Sequence, residues 1–359
     1  MFKLDFIAVI PLITAFLITT IATPISIFFV KKYNIIDDPK KHNHPAILHT
    51  KPIPRGGGIP LFIGVLIASL IFIPMTKIFI ALFVASFISL AVGIIDDKYD
   101  ISPYIRFVMN IVCAVFIVYF GANIPFITNP FGGILYLNHP SIPFLQGYNL
   151  SFLSGAIAIV WIVWVMNMLN WSKGVDGQMP GIVAISAIVI GILSLRFSPV
   201  DTTNTMVATL SFIIAGASLG FLIFNFYPAK VFPGYGATSI YILLAVVSIL
   251  SGAKLATAIL VMGVPLTDGA ITILRRVLSG KSPFWHDKKH LHHLLLSLGF
   301  GQRRIALFYW VISAILGTIS LVLSSKGKLF AIIMLIILAG GAIVFLHFLI
   351  KRTNDKNNV

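Results

Sequence analysis

The chain has 359 residues, 58% of them hydrophobic and 10% charged, with a formal net charge of +15 and a mean hydropathy of +0.99. Soluble domains carry about 45–50% apolar and about 25% charged residues, and a single soluble core of this length cannot hide such an excess. A soluble enzyme, a disordered chain and a coiled coil are thereby excluded, which leaves a polytopic helical membrane protein. The first apolar run covers about residues 6–30 and ends at Lys31 and Lys32. It is too long for a secretion signal and reads as an uncleaved span. Ten more runs fall at about 58–76, 78–95, 104–121, 151–170, 180–195, 205–224, 237–252, 254–272, 305–324 and 329–350. The expectation is an all-α fold of about eleven transmembrane helices, forming a single integral membrane domain over residues 1–359.

Charge gives the orientation. One alternate set of loops, with the tail, holds 20 of the 26 Lys and Arg residues and the other set holds 6. The positive-inside rule makes the first set cytoplasmic, with the N-terminus outside and the C-terminus inside. The longest outside loop, about 122–150, carries turn residues around β-prone stretches such as Gly133-Ile-Leu-Tyr-Leu, and a small β-hairpin is expected there. All 11 acidic residues are Asp. The basic excess fits either attraction to anionic lipid or a polyanionic substrate. The lone Cys113 excludes an internal disulfide and reads as a core residue.

Five cytoplasmic loops, at about 31–57, 96–106, 170–179, 225–236 and 273–304, carry nearly all the polar chemistry. The first reads Asp37-Asp38-Pro39-Lys40-Lys41, then His49-Thr-Lys51-Pro-Ile-Pro-Arg55-Gly56-Gly57-Gly58. Glycines let backbone N–H groups approach a phosphate that the cations neutralise; a basic membrane-surface loop is the plainer alternative. The second reads Asp96-Asp97-Lys98-Tyr99-Asp100. Adjacent carboxylates at a span's end are costly near hydrocarbon, which favours function over a solvated helix end. They point about 100° apart on a helix, so one can meet a reacting phosphate while the other orients a partner. Asp96 shares a face with Asp100.

The third loop follows Asn167-Met-Leu-Asn170-Trp-Ser-Lys173-Gly174-Val-Asp176-Gly177. If the helix continues, the polar residues at every third position form one stripe, a ligand wall; local capping is the alternative. The fourth reads Asn225-Phe-Tyr-Pro-Ala-Lys230-Val-Phe232-Pro-Gly234-Tyr235-Gly236-Ala-Thr238-Ser239. The start of the next helix there would favour an anion, or would simply be capped. The fifth holds Arg275-Arg276 and His286-Asp287-Lys288-Lys289-His290-Leu-His292-His293, following Asp268. With no Cys and no zinc-type spacing, a phosphate or sugar suits it better than zinc. His347, alone in the last run, reads as a packed or interfacial side chain.

In this order the loops resemble those of the polyprenyl-phosphate N-acetylhexosamine-1-phosphate transferase superfamily, glycosyltransferase family 4. It includes the phospho-MurNAc-pentapeptide translocases and the undecaprenyl-phosphate GlcNAc-1-phosphate transferases. The resemblance covers about residues 10–340. Asp38-Pro39, His49 and Pro54-Arg55-Gly-Gly resemble the family's first loop, and Asp96-Asp97 its Asp pair. Asn167-x-x-Asn170 with Gly174-Val-Asp176-Gly177 resembles its DGxDG stretch, and Asn225 to Gly234 its uridine-side loop. Asp287-x-x-His290-Leu-His292-His293 is closer to the GlcNAc branch than to the muramyl branch.

The resemblance implies transfer of a sugar-1-phosphate from a UDP-N-acetylhexosamine to polyprenyl phosphate, with release of UMP. The setting it implies is the cytoplasmic face of the plasma membrane, with Mg²⁺, at the start of cell-envelope glycan synthesis. It makes Asp96 the base or nucleophile-orienting group, supported by Asp97, both also the candidate metal ligands. Asn170 and Lys173 fall near the phosphates, and His290, His292 and His293 at the pyrophosphate or sugar. Lys51, Arg55, Asp176, Asn225, Phe232, Gly234 and Arg276 are the implied substrate-binding residues, with Asp176, Asn225 and Phe232 on uracil. Membrane lipid is an expected partner, nucleic acid is not, and a homodimer is compatible.

Two positions depart from the family pattern. Lys173 stands where the first Asp of DGxDG is expected, and Tyr235 where the family has a Mg²⁺ ligand. Losing two carboxylates and gaining an ammonium shifts local charge by about +3, comparable to the charge of the ion itself. The Mg²⁺ expectation is weakened to that extent, and a catalytically silent relative that binds polyprenyl phosphate or nucleotide is the rival reading. A transporter would place ionisable groups at mid-membrane or break paired spans, whereas these cluster on one face.

Overall fold

In hydrocarbon every backbone N–H and C=O must be satisfied within the protein. Runs rich in Ile, Val and Phe, which lean toward strands elsewhere, are therefore driven into helices here. The computed structural model describes residues 5–40, 48–129, 133–138, 142–144, 148–150, 152–196, 202–250, 255–285 and 287–357; Lys41 and His286 lie outside them.

In chain order the helices are α1 (Ile10–Lys32, entered through a π-helical turn at Asp5–Val9), α2 (Gly58–Phe72), α3 (Lys77–Tyr99), α4 (Pro103–Tyr119), α5 (Phe152–Trp171), α6 (Gln178–Leu195), α7 (Thr202–Asn225), α8 (Thr238–Leu250), α9 (Leu255–Val261), α10 (Gly263–Leu278), α11 (Leu291–Ser297), α12 (Gln302–Val322) and α13 (Ser325–Asn357). Among the described residues, 7 helices are long and apolar enough to cross a membrane, and α9 with α10 makes an eighth, bent by 82°. Three shorter apolar helices, Gly58–Phe72, Pro103–Tyr119 and Tyr235–Leu250, accompany them. The protein is an all-α polytopic membrane protein.

The run at about 254–272 is one apolar stretch in the sequence, and within it the helix breaks at Met262. Gly263-Val-Pro265 stands at the break, and a proline removes a helical donor and clashes with the preceding turn.

Helix α8 is the axis of the bundle: Thr238 to Ile249 are all buried, and α3, α5 and α7 pack around it. Hydroxyl and indole groups pin the neighbours to it. Ser89 Oγ donates to Thr238 Oγ1 at 2.8 Å, Ser86 Oγ to Ser239 O at 2.6 Å and Trp161 Nε1 to Ser248 Oγ at 2.9 Å. The start of α8 is thereby fixed against α3. Helix α13 is the outermost: most of its apolar side chains up to Ile350 face outward, as a lipid-facing helix requires.

The strands are short. β1 (Ile36–Asp37) pairs antiparallel with β2 (Ile53–Pro54) and closes the first loop. In the region of the expected hairpin there are two antiparallel pairs, β3 (Phe126–Thr128) with β4 (Ile134–Tyr136), and β5 (Ile142–Phe144) with β6 (Tyr148–Leu150).

Candidate active site

All five polar loops meet in one cleft of about 1070 Å³, at the C-terminal ends of α1, α3 and α5 and the N-terminal ends of α4 and α12. Small-molecule sites span about 300–1,000 Å³, so this one has room for a large polar ligand. Among the described residues, seven Lys and Arg side chains line it against five Asp, which suits a polyanion.

The two adjacent carboxylates of α3 diverge. Asp96 lines the cleft, and Nη1 of Arg106 donates to both its oxygens at 3.0 Å each. Arg106 also lies 4.0 Å from Asp100, the residue that caps the end of α3. Asp97 turns inward, its side chain fully enclosed. It accepts hydrogen bonds from the backbone N–H of Tyr235 at 2.7 Å and of Gly236 at 3.4 Å, and Arg55 Nε lies 3.8 Å away. The N–H groups leading into α8, read from the sequence as an anion site, are thus occupied by the chain's own carboxylate. Gly234 makes this possible: its φ is +65°, and a Cβ there would collide with the Asp97 carboxylate.

Lys173 and Tyr235 are neighbours on the cleft floor. Lys173 Nζ donates to Gly234 O at 3.0 Å and stands 5.9 Å from the Tyr235 ring centre. Arg106 stands 5.2 Å from the same centre, and Asn110 Nδ2 donates to the phenol oxygen at 3.0 Å. Two cations thus stand within reach of the ring. Burial lowers the Lys173 pKa to about 8 against the opposing pull of Asp97, so the ammonium keeps its charge at neutral pH.

The polar stripe expected from residue 167 to 176 is not helical throughout, because α5 ends at Trp171. Asn167, Asn170, Lys173 and Asp176 all still reach the cleft wall, the last two from the turn that follows. The glycine turn of the first loop also does something other than expected. Gly57 and Gly58 donate their N–H groups to Phe232 O at 2.9 Å and Pro233 O at 3.0 Å, clamping the first loop to the fourth. Phe232 lines the cleft, with the His49 ring packed edge-on at 5.0 Å. Lys51 and Arg55 line the same side.

Asn225 sits behind the wall. Its Oδ1 accepts from Gly177 N at 3.1 Å and its Nδ2 donates to Val231 O at 2.9 Å, so it holds the third and fourth loops together and is not a lining residue. Asp176, in contrast, lines the cleft; burial raises its pKa, offset in part by the Ala229 N–H at 2.9 Å.

The fifth loop supplies the opposite wall. His290 Nδ1 and Asp268 Oδ2 are 2.8 Å apart, and Leu291 N donates to Asp268 Oδ1 at 2.9 Å. The His290 and His292 rings stack at 5.6 Å, and His293 lies 4.3 Å from His292. Burial takes the His292 pKa well below its ordinary value and, with the nearby His290 and Lys288, takes His293 down to about 4. Burial alone would raise the Asp287 carboxyl, but hydrogen bonds from Arg276 and Lys289 N–H and the Arg275 charge bring it down to about 2. Arg276 also stands 5.4 Å from the Trp171 ring centre, bridging the third and fifth loops.

The residues present do not fit a Mg²⁺ site. Mg²⁺ needs near-octahedral oxygen ligands, usually one or two carboxylates with phosphate oxygens. Both Asp96 oxygens are held by Arg106, Asp97 is enclosed by backbone N–H groups and Arg55, and the Lys173 ammonium, bonded to Gly234 O, adds a further positive charge nearby. Among the described residues no three of His, Cys, Asp or Glu gather around a metal position.

Arg106 and Gln302 are the site residues that sequence reasoning missed. Arg106 follows Asp96 by ten positions across a helix turn; Gln302 Oε1 accepts from Asp176 N at 3.1 Å. The one available signal was a lone arginine just inside the apolar run from 104 to 121.

Fold and cleft together define a helical integral membrane protein with a cation-rich cleft at the ends of its helices. A model described as glycosyl transferase family 4 matches residues 79–252. The chain is 30% identical over 377 residues to the decaprenyl-phosphate N-acetylglucosaminephosphotransferase of Mycolicibacterium smegmatis, covering 96% of this chain and 89% of that protein. It is 29% identical over 360 residues to the probable undecaprenyl-phosphate N-acetylglucosaminyl 1-phosphate transferase of Bacillus subtilis, covering 97% and 92%. It is 27% identical over 325 residues to the undecaprenyl-phosphate alpha-N-acetylglucosaminyl 1-phosphate transferase of Escherichia coli K12, covering 86% and 82%. The chain belongs to glycosyl transferase family 4.

Proposed function

We propose that this protein is a phosphoglycosyltransferase that moves an N-acetylhexosamine-1-phosphate from its UDP-sugar to polyprenyl phosphate, releasing UMP and initiating a cell-envelope glycan. The observation that carries the reading is the convergence of all five loops on one cation-rich cleft beside Asp96. An oxygen of the lipid phosphate attacks the β-phosphorus, a new P–O bond forms, and the bond to the UMP phosphate breaks with its electron pair leaving on UMP. Asp96 aims Arg106 at the reacting phosphates and accepts the proton the attacking phosphate carries. Asp97 fixes the Tyr235–Gly236 backbone beneath them. Catalysis of this kind is mostly positioning and neutralisation of charge.

Phe232 and Asp176 face the uracil ring and its imide edge, with Asn225 as the post behind them. Arg55, Lys51 and Arg276 flank the phosphates, and His290, His292 and His293 form the sugar side, the last two as neutral imidazoles. A panel of radiolabelled UDP-sugars with polyprenyl phosphate in detergent tests the reading. UMP release from a UDP-N-acetylhexosamine supports it; binding without turnover of any donor replaces it with a silent phosphate-binding relative, a reading favoured by Lys173 and Tyr235.

The same proposal places eleven crossings in the plasma membrane, N-terminus outside, with the cleft facing the cytoplasm. The basic loops that line the cleft support it through the positive-inside rule. In a Cys113→Ala background, Ser282→Cys should react with an impermeant thiol reagent only in inverted vesicles, and Ser324→Cys only in right-side-out ones. The reverse pattern would turn the protein over.

A further inference from the structure

Lys173 is a buried-edge ammonium with a fixed address. It is anchored by one hydrogen bond to Gly234 O at 3.0 Å, which leaves two of its three N–H donors. It lines the cleft beside Asp96 and Arg106. The other cation at the Tyr235 ring, Arg106, is engaged by Asp96. The phenol itself is held by Asn110 and carries no charge to attract a cation. The charge balance of this floor is thus set by the chain alone: Arg106 answers Asp96, Arg55 answers Asp97, and Lys173 is the cation left facing the ligand space.

We propose that Lys173 takes the place of a divalent ion toward the substrate diphosphate, so that the cleft binds a nucleoside diphosphate without added metal. This rests on the proposed function for the identity of the ligand, and on the Lys173–Gly234–Tyr235 geometry for the rest. An ammonium acts as a compact point charge on phosphate oxygens. It supplies one unit of charge where a metal supplies two, and its two remaining N–H donors add direct hydrogen bonds to the phosphate oxygens.

The test uses the full chain in detergent, with UDP as the probe in isothermal titration calorimetry, in EDTA and in Mg²⁺. UDP should bind in EDTA within about twofold of its affinity in Mg²⁺. Lys173→Met should weaken binding in EDTA by about tenfold, the loss expected for a charged hydrogen bond, and Lys173→Arg should restore most of it. An unchanged unfolding temperature of Lys173→Arg guards against a folding defect. The double variant Lys173→Asp with Tyr235→Asp should make UDP binding depend on Mg²⁺. Metal-free binding lost in Lys173→Met but with no UMP from any donor would support the role of Lys173 and remove the transferase reading. Binding that needs Mg²⁺ in the parent protein, with Lys173→Met unaffected, would overturn the inference and leave the transferase reading standing.

Discussion

One nitrogen of Arg106, Nη1, lies 3.0 Å from each oxygen of Asp96, so a single guanidinium group sets where the only cleft-facing carboxylate of the Asp pair can point. Removing the partner of a buried charged hydrogen bond costs about 2–3 kcal/mol. Arg106→Gln should therefore lower the unfolding temperature in detergent and abolish turnover. Asp96→Asn should fold, keep UDP-sugar binding and lose UMP release. The double variant should be less destabilised than the sum of the two. Strict additivity in thermal unfolding would show that the pair is not coupled.

The uridine side separates contact from support. Phe232 faces the cleft, whereas the Asn225 amide ties Gly177 to Val231. Phe232→Ala should weaken UDP binding by about tenfold, consistent with stacking worth about 1–3 kcal/mol, with little change in unfolding temperature. Asn225→Ala should lower both together. Calorimetry beside thermal unfolding distinguishes the two patterns, and an intact nucleotide affinity in Phe232→Ala would remove the stacking assignment.

These contrasts mark what the sequence could and could not reveal. The apolar runs located the helices, because a bilayer leaves the backbone no alternative fold, and the loop motifs located the groups that gather in the cleft. Contacts across a turn were not legible. Arg106 meets Asp96 because α4 reverses after Asp100, whose left-handed φ of 48° ends α3, and no periodicity encodes that reversal. Nor could composition tell that Asp97 would occupy the N–H groups before α8 in place of a substrate phosphate. The break at Met262 was hidden by apolar residues on both sides, although Gly263-Val-Pro265 carried its signal.

Gly234→Ala tests the buried half of the Asp pair. The new methyl would sit where the Asp97 carboxylate is, at a φ of +65°. A left-handed conformation alone costs about 1–2 kcal/mol for a residue with a Cβ. The variant should unfold earlier than the parent and lose UMP release, since the floor beneath Tyr235 must shift. Parent-like activity would show that Asp97 does not hold this loop in place.

The histidine wall should make stability fall in acid. His293 titrates at about 4 in the folded protein because it is buried beside His290 and Lys288, against about 6.5 when unfolded. Between those values the unfolded chain binds the extra proton, so the His293 contribution is full above about pH 6.5 and is lost as pH falls toward 4; the buried His292, also held below its ordinary value, adds to the same slope. Unfolding followed from pH 7.5 to 4.5 should show this slope, and His293→Gln should make it shallower, with His292 carrying the remainder. An unchanged slope in the variant would remove His293 from the acid sensitivity.

Because Lys173 bonds to Gly234 O and lies beside the Tyr235 ring, the two positions are electrostatically linked. A carboxylate placed at 235 would lie beside an ammonium, whereas one placed at 173 would join Asp96 and Asp97 with no cation added. Tyr235→Asp alone should therefore be tolerated better than Lys173→Asp alone, as thermal unfolding of the two single variants in detergent would show.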